Sequence, residues 1–179
     1  PISNHISKSA GILLKTKDHY RKSGKDIELI GQLYGRNNDT ESMHEQMYLA
    51  CLYYGFLINP ESQVEAGVQW GKKNGFNRFL VKGLYDKSDG GTRGNTPKVL
   101  QDGISMIIDM VKESKADGND IQDILSGIPF EELLAQMKTF DGSTGHYQTH
   151  DLIAALIMAC VGTKKLTSTI RSYNPTASI

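Results

Sequence analysis

The chain has 179 residues and a mass of 19.8 kDa, enough for one domain that closes an apolar core without disulfides or metals. Hydrophobic residues make up 39% and charged residues 22%, a globular balance that excludes a disordered chain. Net charge is zero, but residues 1–98 hold 14 Lys and Arg against 10 Asp and Glu, whereas residues 99–179 hold 6 against 10, so the two parts carry +4 and −4. Such polarity suits binding an anion at one end or a second copy end to end.

The fold expected is all-α: a compact multi-helix domain over 1–179, with extended arms at both ends and a division into two lobes near 87–96. The segments "HISKSAGILLKTKDHYRK" (5–22) and "KDIELIGQLYGR" (25–36) read as two helices. "SMHEQMYLACLYYGFLI" (42–58) opens with Ser42 and Glu45 at capping-box spacing and is apolar all round, which predicts a central buried helix. In "NPESQVEAGVQWGKKNG" (59–75), Asn59 suits a cap, Pro60 a first helical position, and Lys72-Lys73-Asn74-Gly75 a stop. "FNRFLVKGLYDK" (76–87) places Phe76, Phe79, Leu80, Gly83 and Leu84 at helical spacing, with a small β-hairpin around "RFLVKGLYDKSDGG" (78–91) as the alternative.

After the glycine-rich loop 88–95, "TPKVLQDGISMIIDMVKESKADG" (96–118) is the best-punctuated helix. Thr96 caps, Pro97 starts, Leu100, Ile104, Ile107, Ile108 and Val111 form a stripe, and Gly118 ends it. Two short helices follow at 120–127 and 129–140, the second begun by Pro129, Glu131 and Glu132. "THDLIAALIMACVG" (149–162) closes the core and stops at Gly162, and the tail 167–179 becomes an arm.

His146 and His150, four apart, invite a metal-site reading. Thr149 as N-cap would start the helix between them, and a third ligand would have to come from His44, Glu45 or Asp141, so capping is the better account. "HEQMY" (44–48) lacks the second histidine of a zinc-protease pattern. Cys51 and Cys160 lie in apolar runs without a CxxC pair, as core thiols of a reducing compartment do. No serine nucleophile motif is present, and Glu131-Glu132 suits a helix start better than an acid/base pair.

The basic clusters carry more signal. Lys15, Lys17, Arg21, Lys22 and Lys25 form one around Tyr20. Lys72, Lys73, Arg78 and Lys82 form the other, extended by Lys87 and by Arg93, which precedes a helix start. A sequence pI near 7.4 counts against a dedicated nucleic-acid binder. No apolar run reaches the ~18 residues of a membrane span and no signal-peptide order opens the chain, so an intracellular, soluble protein is expected. Pro1 fits removal of an initiator methionine or release from a polyprotein.

Together these features lead to a non-enzymatic, self-assembling structural protein. A viral capsid or nucleoprotein subunit is the concrete form, a homo-oligomer without cofactor that contacts nucleic-acid backbone through its cations. The alternatives are a small helical adaptor for a protein partner and, behind it, a metal-dependent hydrolase built on His146 and His150.

Overall fold

The computed structural model describes residues 9–16, 27–35, 40–61, 65–82, 85, 90–94, 96–116, 128, 130–142 and 149–172. Among them are five α-helices and a two-stranded antiparallel sheet, so the fold is mixed α and β rather than all-α. The two segments expected as the first helices are the strands β1 (Ser9–Thr16) and β2 (Ile27–Gly35). The physical reason lies in burial. Ala10, Ile12 and Leu14 alternate onto the main core, while Gly11 on the opposite face lies against Met47. A strand covered on both faces shows a continuous apolar run, which hides its two-residue period.

Pairing sets Ala10 against Tyr34, Ile12 against Gln32 and Leu14 against Leu29, with a register shift after Leu13. That shift leaves Ile30 as the extra, exposed residue of a bulge. It brings Leu29 back to the face that Tyr34 occupies, so both strands present one apolar side inward.

The helices are α1 (Thr40–Tyr54), α2 (Glu65–Lys73), α3 (Pro97–Ala116), α4 (Glu131–Thr139) and α5 (Asp151–Ser172). Helix α3 starts at Pro97 as its punctuation predicts. Helix α1 begins two residues before Ser42, which therefore lies inside it, and ends at Gly55, whose φ of +70° suits a residue without a side chain. The expected helix over 76–87 is a single 3₁₀ turn, Asn77–Phe79, followed by extended chain that bridges Ile58 to Leu80 in parallel. The N–H groups of Ile58 and Val81 are satisfied across that bridge by Phe79 and Ile58, which competes with continuing the turn.

The central buried element is α5, not α1. Leu152, Ile153, Leu156, Ile157, Cys160 and Val161 are all 2% exposed or less. Gly162 does not stop this helix, which runs on to Ser172, so the first residues of the expected C-terminal arm are helical. Instead Gly162 makes room for Asn59: a side chain at 162 would approach the Asn59 Cβ to 3.1 Å. Helix α3 crosses α5 at Gly103, where a Cβ would meet Ile157 at 2.6 Å. Lys164 of α5 pairs with Asp102 of α3 at 2.8 Å, and Tyr85 donates to the same carboxylate at 2.7 Å. The Lys164 bond, then the Tyr85 bond, hold the Asp102 carboxyl below its ordinary range.

A second core joins α1, α2 and the 3₁₀ turn around Tyr48, which is 1% exposed and donates to the Gly67 carbonyl at 2.8 Å. Its ring stacks on Trp70 and tilts against Phe76, with centroids 5.4 and 5.3 Å away. A Cβ at Gly71 would coincide with the Tyr48 hydroxyl and ring. Gly71→Ala is therefore expected to destabilise. Helix propensity favours alanine by ~1 kcal/mol, but overpacking a filled core costs ~1–3 kcal/mol, and this overlap belongs at the upper end. Urea unfolding should show a net loss; a gain in stability would contradict the packing described.

Candidate functional site

A cleft of about 720 Å³ lies between β1, α1, α5 and the segment after α1. It exists because α5 is two-sided. Its bulky residues face α3 and α4, whereas Ala154, Ala155, Ala159 and Gly162 leave space toward α1. Met43, Met47 and Met158 line the walls, and unbranched thioether chains adapt to varied shapes.

Asn59 holds the far wall in place. It donates from Nδ2 to the Met158 carbonyl at 2.8 Å and accepts at Oδ1 from the Thr92 hydroxyl at 2.8 Å. It is a bridge between the post-α1 segment and α5, rather than the cap of α2, which starts only at Glu65.

The ionisable lining is limited. His44 lies beside Gly67, and burial outweighs Glu41 to lower its pKa. The Cys51 thiol is pushed up to about 11 by burial, and Cys160, deeper in the core, to about 12. Burial therefore disfavours the thiolate form of both. Glu61 and Asp151 also line the cleft.

The second basic cluster is carried by α2 and the segments after it. Lys72 and Lys73 form the last turn of α2, directly after the Gly71 that receives Tyr48. Arg78 is exposed in the 3₁₀ turn, 4.8 Å above the Phe79 ring, and Lys82 follows Val81 half-buried. Arg93 is exposed next to the buried Thr92. Of the first cluster, Lys15 is on β1, and Lys17, Arg21, Lys22 and Lys25 lie outside the described residues, as does Lys87.

Helix α1 exposes an apolar face that the sequence assigned to the interior. Leu49 and Leu52 are 47% and 49% exposed, Tyr53 83% and Tyr54 56%. Burial is used up by the opposite side of α1, where Met43, Tyr48 and Cys51 are covered.

The opening of α5 differs from the expected cap. The helix begins at Asp151, and its early donors, Leu152 N–H and Ile153 N–H, bond Gln136 Oε1 at 2.9 and 3.4 Å. Gln136 also donates to the Tyr34 hydroxyl at 3.1 Å, tying α4, α5 and β2 together. His150 has Thr139 Oγ1 2.9 Å from Nε2, Thr149 Oγ1 3.0 Å from Nδ1, and its ring edge on Phe140. His146 lies outside the described residues. Glu45 is exposed on α1, Asp141 is exposed beyond α4, and His44 is in the cleft wall. Among the described residues, no group of three His, Cys, Asp or Glu is placed to hold a metal ion.

No family model, curated protein or solved structure matches this chain. No helix among the described residues is long and apolar enough to cross a membrane.

The cleft residues were not found from the sequence; the one available sign was the Ala and Gly spacing in 154–162. The Gln136 bridge generates a test. Gln136→Ala strips the acceptor from two α5 donors and should cost about 1–3 kcal/mol in denaturant unfolding, without a change in helix content at low denaturant. A loss within a few tenths of a kcal/mol would mean that Gln136 does not cap α5.

Proposed function

We propose that the chain is a non-enzymatic structural subunit that assembles with copies of itself, of the capsid or nucleoprotein kind. The observation that carries this reading is the exposed apolar face of α1, in which Leu49, Leu52, Tyr53 and Tyr54 adjoin one another on a single helix end. Contiguous apolar surface with a tyrosine 83% exposed is the usual mark of a protein interface. The opposed charges of residues 1–98 and 99–179 favour a second copy as the occupant.

Lys72, Lys73, Arg78 and Lys82 then serve as contacts to nucleic-acid backbone, and the exposed Tyr53 and Tyr54 offer rings on which bases can stack. The raised thiol pKa values and the helix-start setting of Glu131 and Glu132 support a role without catalysis.

Light scattering across a concentration series, at low and high salt, tests the reading, with absorbance followed in the protein and nucleic-acid bands. The wild-type chain should form a salt-sensitive oligomer, and Tyr53→Asp should weaken assembly at least about tenfold. Adding Lys73→Glu and Arg78→Glu should reduce the salt slope of nucleic-acid binding by about 2. A monomer at every concentration and salt would overturn this function and favour a helical adaptor for another protein.

A further inference from the structure

We propose that the cleft between β1, α1 and α5 takes up an extended apolar peptide segment, which adds a strand to the open edge of β1. All of residues 9–14 line the cleft, although successive side chains of a strand point to opposite faces. The strand therefore meets the cleft along its edge, on the side away from β2. Every second residue of that edge turns its N–H and C=O outward. Among the described residues, residues 9–14 make no backbone hydrogen bond besides the ladder with β2.

The segment after α1 offers a second set of main-chain groups. Ile58 donates to the Phe79 carbonyl at 2.8 Å and accepts from the Val81 N–H at 2.9 Å. The Pro60 carbonyl accepts from the Thr92 N–H at 3.0 Å. Alternation along extended chain turns the N–H and C=O of Asn59, between them, the other way. Among the described residues those two groups have no partner, and Asn59 lines the cleft. Its side chain is meanwhile fixed on the Met158 carbonyl and the Thr92 hydroxyl, so the wall is held in place without them.

The two helices define the side chains that such a strand carries. One face of β1 sets Gly11 against Met47 of α1, and the other lays Ala10, Ile12 and Leu14 on the core built around α5. A strand added in line with β1 turns its side chains alternately toward Met43 and Met47 and toward Ala155 and Ala159. Apolar cover on both faces calls for a continuous apolar run, as in other buried strands. The ladder supplies affinity for any such run, and the methionines adjust to its side chains. Residues 9–14 extend about 20 Å at the rise of a strand, which suits a partner segment of about six residues. The volume of about 720 Å³ lies within the ~300–1,000 Å³ of ligand sites. Leu49, Leu52 and Tyr53 are not part of the lining, so this groove is separate from the assembly face.

The test is fluorescence anisotropy with a fluorescein-labelled heptapeptide, five alternating valines and leucines between two lysines. A second peptide is N-methylated at its three central residues, which removes donors toward both walls. One unmethylated peptide should saturate each chain, and N-methylation should weaken binding at least about tenfold. Ala155→Trp and, on the opposing wall, Met47→Trp should each weaken binding about tenfold or more. Tyr53→Asp should leave it unchanged, so that loss of assembly and loss of the groove are read separately. No binding by the wild-type chain, equal binding of the N-methylated peptide, or undiminished binding by both folded tryptophan variants would each overturn the proposal. Should either substitution disturb folding, the comparison of the two peptides on the wild-type chain still decides.

Discussion

Burying α5 on nearly every side is the constraint on which the rest of the structure depends. Leu152, Leu156, Ile157, Cys160 and Val161 are 0% exposed, and Ile153 is 2% exposed. Each large aliphatic side chain of this kind contributes roughly 1.5–3 kcal/mol on burial. That gain is available only if the helix can be covered without orphaning its backbone donors, and Gln136 from α4 accepts two of them. Close approach by α3 is possible because Gly103 faces Ile157, and the Asp102–Lys164 pair closes the same crossing at its edge.

The cleft follows from the same helix. One side of α5 is filled by branched residues and the other by alanine and glycine, so the elements on the small side cannot close to core density. Where the gap narrows, Asn59 spans it with hydrogen bonds rather than apolar packing. Helix α1 is held from the far side by the Tyr48 aromatic cluster, which spends the apolar residues of one face and leaves Leu49, Leu52 and Tyr53 outward. The cleft and the proposed assembly face are thus two consequences of α1 packing on α2 and the 3₁₀ turn rather than on α5.

Local punctuation was legible in the sequence, and long-range pairing was not. Pro97 and the stripe Leu100, Ile104, Ile107, Ile108 and Val111 mark α3 because both signals are local, although Ile108 is 45% exposed. Glu131 and Glu132 mark α4 for the same reason. The strands were hidden because Ile12, Leu13 and Leu14 form an unbroken apolar run, and because the bulge at Ile30 shifts the alternation of β2 midway. Gly162 resembles a helix stop, yet it is a small residue admitting Asn59 from more than a hundred positions away. Apolar residues all round α1 imply burial only when enough partners exist, and the described residues cover one side of it. Of the site residues, Lys72, Lys73 and Arg78 were visible as charges; the cleft needed three elements to be placed first.

Native-state amide hydrogen exchange tests the central place of α5 most directly. If this helix is the framework, the slowest amides of the chain lie between Leu156 and Val161 and open only in global unfolding, while α1 near Leu49 and Leu52 exchanges earlier. Slowest exchange around Tyr48 and Cys51 instead, with α5 opening first, would contradict the account and make α1 the core of the fold.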